Sequence, residues 1–249
     1  MELIIEKQLG RGAFGIIYLV SDLKTGIFYA LKEVKNQRVR EKEIEILRKI
    51  HTNCQDHMLC YISSWDDTIL TDYIVGFNLD KYDQEIDPIA FLDQFLPVLE
   101  KLQDLSIAHR DIKPENIIYD PRTNYYTLID FGLAMDSDST RSFAGSTGYI
   151  SKTILDLDPS EYTMEDWFRN DVFSLGATLF KVLNGKYAFK IVKSFPNTNL
   201  AGKKLNHLDY RYPTHWLWRY NQGVIMTVNL MLRGILFADA IEQFWRRNI

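Results

Sequence analysis

The 249-residue chain has only two cysteines, Cys54 and Cys60, which form neither a CxxC pair nor part of a metal-like cluster. Such sparing use excludes a disulfide framework and predicts two free thiols in a reducing compartment. An excess of positive charge is also missing, since 29 basic residues face 33 acidic ones for a net charge of −4. No global field favours nucleic acid or an anionic membrane surface, and neither is expected as a partner. The most apolar late stretch, residues 223–237, is interrupted by Asn229 and Arg233 and is too short to span a bilayer, so it reads as a buried helix. The opening residues, MELIIEKQLG, carry acids and run directly into a glycine-rich motif, which predicts neither signal peptide nor transit segment and a cytosolic or nuclear location. Internal repeats, low-complexity tracts and Pro/Ser-rich linkers are absent as well. What is present, 46% apolar and 25% charged residues, suffices for one two-lobed domain or two small ones with a proper core.

Short β-branched and aromatic runs at 3–7 and 16–20 flank a glycine-rich turn, and a third run covers 27–34, which predicts antiparallel strands. Between Arg40 and Ile50, Ile44, Ile46, Leu47 and Ile50 recur at helical spacing among charges and predict a helix packed on those strands. Two further extended segments follow at 58–65 and 68–75. Beyond Gly76 the period changes: Ile89, Phe91, Leu92, Phe95, Leu96, Leu99 and Leu102 mark a long, mostly buried helix, and the remainder reads as largely helical. A boundary near Ile74 to Gly76 leaves a single-strand hinge, a usual place for a small-molecule cleft.

Residues 109–116 read HRDIKPEN, and Asp130-Phe131-Gly132 begins fourteen positions after the Asn of that motif. An acid placed to accept a hydroxyl proton, a Lys two residues on, an Asn and a second, later Asp are the parts that phosphoryl transfer from ATP requires. From about Gly10 to about Phe189 the chain resembles the eukaryotic-type protein kinases. An Asp and an Asn five apart occur often by chance, but HRDxKPxN with a downstream DFG is highly specific. The resemblance implies an α+β, bilobal protein-kinase-like fold: one domain over 1–249, with a small antiparallel β-lobe carrying one helix (1–74) and a larger, mainly helical lobe (75–249). It also implies Mg-ATP as the nucleotide, with Mn²⁺ as an alternative ion, and a protein as the phosphate acceptor.

Within that resemblance, Asp111 is the proton acceptor, Lys113 neutralises the transferring phosphate and is typical of Ser/Thr rather than Tyr kinases, and Asn116 and Asp130 hold the two metal ions. Gly10, Gly12 and Gly15 followed by Ile17 look like the phosphate-covering loop; alone, GxGxxG also suits a dinucleotide site or a plain hairpin turn, but a strand rather than a helix follows it here. Lys32 in Tyr29-Ala30-Leu31-Lys32 matches the Lys that reaches the α and β phosphates. Its partner carboxylate is expected on the next helix at Glu43, which shares a face with Leu47, with Glu41 and Glu45 as competitors. By the resemblance, Ile17, Ala30 and Ile118 are expected to sandwich adenine, and Leu47, Tyr61, His109 and Phe131 to stack as a column, although for each taken separately plain core is the simpler reading. Thr71 looks like the gatekeeper, with Asp72 and Ile74 offering backbone hydrogen bonds to adenine. Asp171 resembles the Asp that braces the catalytic loop, though alone it would read as a helix cap. Arg110 is of the type that pairs with a phosphate on the activation segment, where Ser137, Ser139, Thr140 and Ser142 are candidate acceptors against the plainer reading of a polar loop.

The chain departs from the family where most members read A-P-E, for it has Ser151-Lys152-Thr153 and lacks the Glu that anchors the end of the activation segment. Casein-kinase-I-like and vaccinia-related kinases share that loss. Tyr61-Ile62-Ser63-Ser64-Trp65 is instead similar to a strand of the Wee family and of the kinases of translation initiation factor two, so subfamily stays open. Residues 191–249 lack the family's closing Arg-centred motif, which predicts abbreviated or rearranged last helices. Two other functions compete: a kinase-fold decoy or scaffold that binds partners with little turnover, motivated by the missing anchor and the reduced C-terminus, and a small-molecule kinase, which the GSxGY-type loop at 145–149 disfavours. Glu115, Asp80, Asp83, Glu85 and Asp87 are candidates for a preference for basic substrates, or more simply a solvated acidic face. These motifs encode neither the physiological substrate nor the oligomeric state.

Overall fold

The computed structural model describes residues 1–12, 15–51, 57–139, 142–192, 207–209, 220–234 and 236–248. Strands β1 (Leu3–Gly12), β2 (Gly15–Asp22) and β3 (Phe28–Glu33) are followed by helix α1 (Gln37–His51) and strands β4 (Tyr61–Trp65) and β5 (Thr68–Asp72). The five strands form one antiparallel sheet in the order β1-β2-β3-β5-β4. Strand β1 continues beyond the expected run into the glycine motif, with register shifts at Ile5/Lys7 and Gln8/Gly10. Helix α1 buries Glu43, Ile46, Leu47 and Ile50, one stripe at 3- and 4-residue spacing, against β4 and β5. An acid in an otherwise apolar stripe requires a partner, and that requirement leads to the site below.

The chain then leaves the sheet. Gly76 (φ 149°) passes so close to the backbone of Tyr119 that a Cβ would lie 2.5 Å from its carbonyl oxygen, a path open only to glycine. Strand β6 (Phe77–Asn78) precedes α2 (Pro88–Asp104), which starts where the Asp87 carboxylate accepts from the N–H groups of Ile89 and Ala90, with Pro88 in the first turn. Its buried face is Phe91, Leu92, Phe95, Leu96, Val98, Leu99 and Leu102; Ile89, expected in that face, is 37% exposed because the first turn points outward. Next come β7 (Ile107–Ala108), a 3₁₀ turn at Pro114–Asn116, β8 (Ile117–Asp120), β9 (Tyr125–Leu128) and β10 (Met135–Asp136). Strands β6, β8 and β9 form a three-stranded sheet, and β7 pairs with β10.

Helix α3 (Lys152–Asp156) leads to α4 (Met164–Asn184), which a Thr163/Asp166 capping box begins and Gly185 in the left-handed conformation ends. Twelve of its residues are buried, so α4 is the axis of the helical lobe. Strands β11 (Lys190–Val192) and β12 (His207–Asp209) pair, and α5 (Gln222–Met231) and α6 (Ala238–Asn248) close the described chain. The expected buried helix over 223–237 stops at Met231, because Gly234 takes a left-handed φ of 65° and turns the chain. Helix α6 packs on α2, and its fully buried Trp245 donates from Nε1 to Asp93 Oδ1 at 2.7 Å. The architecture is α+β and bilobal, and one apolar cluster runs through both parts, from Val34, Leu47 and Ile69 to Phe180, Ile225 and Trp245.

Trp245→Ala should lower the unfolding free energy by about 3–5 kcal/mol in urea titrations, the cost of deleting a fully buried indole. Trp245→Phe keeps an aromatic ring, though a smaller one, and leaves Asp93 without its donor, so a smaller loss than for Ala is expected.

Candidate active site

Lys32 lies on β3 with its ammonium between two carboxylates, 2.6 Å from Glu43 Oε1 and 2.8 Å from Asp130 Oδ1. Of the three acids weighed on α1, Glu43 is the one that reaches it. Glu41 instead accepts from Gln37, and Glu45 pairs with Lys42 and Lys49. Burial opposes the Lys32 charge, but Glu43 and Asp130 outweigh it and hold its pKa above the ordinary range. Burial likewise opposes ionisation of Asp130, and the nearby ammonium overcomes it and holds that carboxyl low. Glu43 is pushed up by burial despite Lys32. Gly132 makes the close packing feasible, since a Cβ there would sit 3.2 Å from both Lys32 Nζ and Asp130 Oδ1.

The segment between β7 and β8 is held from beneath by Asp171 of α4. Its buried carboxylate accepts from the N–H of His109 at 2.6 Å and of Arg110 at 2.8 Å. These bonds pin Arg110 in a left-handed conformation (φ 66°) that a non-glycine residue adopts only under constraint. Burial pushes the Asp171 carboxyl up to about 7, against the two N–H donors and Arg110, which favour its charged form. Beyond the strained residue, Asp111 faces three donors: Ser146 Oγ at 2.6 Å on Oδ1, and Lys113 Nζ at 2.7 Å and Asn116 Nδ2 at 3.0 Å on Oδ2. Ser146 Oγ also accepts from Lys113 at 2.8 Å. Asn116 Nδ2 binds the Asp111 carbonyl at 2.8 Å too, which leaves the amide oxygen as the atom with lone pairs to offer. The N–H of Ile129 donates to the Asn116 carbonyl at 2.9 Å and sets Asp130 beside this loop.

Above these groups the glycine motif forms the β1–β2 hairpin end, where Gly10 pairs with Ile17 and Gly12 with Gly15, while Ala13 and Phe14 lie outside the described residues. A Cβ on Gly15 (φ 148°) would fall 1.9 Å from the Glu33 carbonyl oxygen. Ile17, Ala30 and Ile118 are half-buried, and Ala30 is registered with Thr71, which is buried and donates weakly to the Ala30 carbonyl at 3.4 Å. At Asp72 the N–H donates to the Cys60 carbonyl and the carboxylate accepts from the Cys60 N–H. The Asp72 carbonyl is thus the backbone group left as a candidate for adenine. Ile74 lies half-buried in the segment leaving β5. Leu47, Tyr61, His109 and Phe131 are all buried, with His109 and Phe131 in edge-to-face contact at 4.9 Å.

Residues 3–221 match the family model described as "Protein kinase domain". The chain belongs to the protein kinase family. It is 31% identical over 196 residues to mitogen-activated protein kinase kinase 7 of Arabidopsis thaliana, covering 72% of this chain and 62% of that one. To cAMP-dependent protein kinase type 3 of Saccharomyces cerevisiae it is 30% identical over 206 residues, covering 74% and 49%. To probable serine/threonine-protein kinase 2 of Plasmodium falciparum it is 29% identical over 205 residues, covering 75% and 38%. The chain thus spans between 38% and 62% of the length of these relatives. In fold it is similar to the Cydia pomonella granulovirus kinase PK-1, with a TM-score of 0.78, 18% identity and coverage of 98% of this chain and 93% of that one.

The donor set of this kinase fits Mg²⁺. That ion uses one or two protein carboxylates and completes its shell with phosphate oxygens and water, and the chain offers Asp130 and the amide oxygen of Asn116. Among the described residues no group of three or more His, Cys, Asp or Glu forms an all-protein cage.

Several positions were not legible beforehand. Ser146, in the Gly145–Tyr149 loop, bonds to both Asp111 and Lys113; the loop was visible as a motif, but its serine carried no signal of its own. Arg110 donates to the carbonyls of Leu133 and Ser142 and stacks 5.1 Å from the Trp167 ring, so it ties the activation segment through backbone oxygens. The place of the missing Glu anchor is taken by buried polar residues of α4. Asn170 Oδ1 accepts from the Ser151 N–H at 2.8 Å, and Ser174 Oγ donates to the Tyr149 carbonyl at 2.5 Å. Asp87 caps α2, whereas Asp80, Asp83, Glu85 and Glu115 are exposed. Thr140 and Cys54 lie outside the described residues. Cys60 is disulfide-bonded, which corrects the expected free thiol, because sequence spacing alone does not show which thiols the fold brings together, and the cysteines give no support for a reducing compartment. No helix among the described residues is long and apolar enough to cross a membrane.

The fully buried His109 ring donates from Nε2 to the Ile129 carbonyl at 3.2 Å and accepts at Nδ1 from the Asp111 N–H at 3.3 Å, a network that only the neutral ring satisfies. Burial accordingly depresses its pKa. A native value below the unfolded one, about 6.5, means that the His109 contribution is complete above that pH and is lost as pH falls through the native pKa. In urea titrations the stability of wild type relative to His109→Phe should fall between pH 6.5 and 5, a difference from which the opposing titration of Asp171, present in both proteins, cancels.

Proposed function

We propose that this protein kinase is catalytically active and moves the γ-phosphoryl of ATP to a serine or threonine hydroxyl of a protein substrate, with Mg²⁺ (or Mn²⁺) held by Asn116 and Asp130. One observation carries the reading. A continuous set of hydrogen bonds joins Lys32 to Asp130, the backbone before Asp130 to Asn116, Asn116 to Asp111 and Asp111 to Lys113, so that cation, ligand and base groups converge.

In this reading the glycine hairpin covers the phosphates with backbone N–H groups, and Lys32 orients the α and β phosphates while Glu43 holds its ammonium in place. Ile17, Ala30 and Ile118 enclose the adenine, with Thr71 behind it and the Asp72 carbonyl and Ile74 backbone at its edge. The metal supplies charge neutralisation of the phosphate oxygens when bound. Asp111 orients the acceptor hydroxyl and takes its proton late, as that oxygen bonds to the γ phosphorus and the bond to the ADP oxygen breaks. A carboxylate accepts about four hydrogen bonds, so the three it already makes leave room for the incoming hydroxyl. Lys113 balances charge on the moving phosphoryl group, and Ser146 keeps Lys113 and Asp111 in mutual register. Of the two motives for the decoy alternative, the missing Glu weighs less beside the bonds that Asn170 and Ser174 make to Ser151 and Tyr149, and the reduced C-terminus is left to the transfer assay.

Asp111→Ala should leave nucleotide binding nearly intact while reducing transfer of radiolabelled phosphate to a generic protein substrate by about 10² or more. Transfer by wild type that vanishes in Asp130→Ala excludes the decoy; equal transfer in the Asp111 variant would refute the role given to that carboxylate.

A further inference from the structure

Asp136 lies in the activation segment six residues beyond Asp130, and its side chain is buried, with 1% of the residue exposed. Its carboxylate meets two ammonium groups of α1: Lys42 Nζ lies 2.6 Å from Oδ1, and Lys49 bonds to Oδ2. Ser139 adds a third donor at 2.8 Å. Burial opposes ionisation here, yet the hydrogen bonds from Lys42, Lys49 and Ser139 outweigh it and hold the carboxyl far below the usual range. Nothing in the phosphate chemistry described above uses this cluster. A buried carboxylate is costly unless partnered, and both of its cationic partners come from one distant helix.

The placement is specific. Lys42, Glu45 and Lys49 share one face of α1, and Glu45 pairs with both lysines. Glu43 lies on the neighbouring face and reaches Lys32. Two ionic grips about 100° apart around the helix axis fix its rotation as well as its distance from the sheet. At its other side, Asp136 pairs through its backbone with Ile107 in β7, the strand that leads into His109 and Asp111. One residue therefore joins α1, the activation segment and the base of the catalytic loop.

We propose that Asp136 is a positioning residue that, through Lys42 and Lys49, latches α1 in the rotation that pairs Glu43 with Lys32, so that this part of the active arrangement is held by an unmodified carboxylate. The inference rests on the proposed kinase activity only for its catalytic consequence; the latch itself is a statement about α1. Asp136→Asn keeps the shape and removes the charge. Released from one grip, α1 loses its fixed rotation and Lys32 its partner.

Hydrogen–deuterium exchange and phosphate-transfer kinetics on the full chain test the latch. In Asp136→Asn, amides of residues 37–51 should exchange faster than in wild type while those of α4 stay unchanged, and kcat/KM for ATP should fall about 10- to 100-fold. The double variant Lys42→Met, Lys49→Met should reproduce both effects, and adding Asp136→Asn to it should change little more. Asp136→Glu should restore part of the activity. Unchanged exchange over 37–51 in the double lysine variant overturns the proposal, whether or not Asp136→Asn folds well. So does a strictly additive triple variant. Wild type that transfers no phosphate counts against the kinase reading alone, because the exchange comparison still decides the latch.

Discussion

The buried ammonium of Lys32 is the constraint on which the rest of the site depends. Removing a charged group from water costs several kcal/mol unless opposite charge and hydrogen bonds replace the lost hydration. Here the replacement comes from two carboxylates on two different elements, Glu43 of α1 and Asp130 after β9. Neither element can move away without stranding a charge. The sheet, the helix and the segment after β9 are thereby fixed relative to one another by electrostatics, while the apolar contacts of Leu47, Ile69 and Phe131 set how closely they approach.

A second constraint acts through the backbone. Arg110 and Asp130 both hold left-handed φ angles, of 66° and 62°, each at a cost of about 1–3 kcal/mol that surrounding structure must offset. At Arg110 the offset comes from the two hydrogen bonds that Asp171 accepts; at Asp130 it comes from Lys32 and the Gly132 N–H. Two of the left-handed residues thus lie in the candidate site, Arg110 next to Asp111 and Asp130 itself. Their supports come from Asp171 of α4, Lys32 of β3 and the Gly132 N–H, and at Asp130 both bonds fall on Oδ1.

Much of this was legible in the chain before folding was considered. The runs at 3–7, 16–20 and 27–34 became β1 to β3, and the helical periods became α1 and α2, because amphipathic spacing is a local property. HRDIKPEN and DFG pointed to the residues that now lie together, since their spacing is set by the loop geometry they share. Other features left no local trace. Asp136 looks like any loop acid until two lysines, 94 and 87 residues earlier, fold against it, and Ser146 looks like a turn serine until Lys113 and Asp111 converge on its hydroxyl. Ser151-Lys152-Thr153 read as a lost anchor because a compensating pair, Asn170 and Ser174, lies about twenty residues on in a different element. The end of α5 was misjudged because apolar composition continues past a glycine that takes a left-handed turn.

The sequence by itself determined which chemical groups are available, in what order, and on what kind of element each would stand, because period, capping and motif spacing act over a few residues. Only the tertiary structure decided which of three acids on α1 meets Lys32, which donors converge on Asp111, that the Asp72 N–H is already engaged, and what replaces the missing Glu. Those outcomes depend on distances between residues far apart in the chain, and burial turns each such distance into a strong preference, since a charge or N–H removed from water must find its partner wherever the fold has put one.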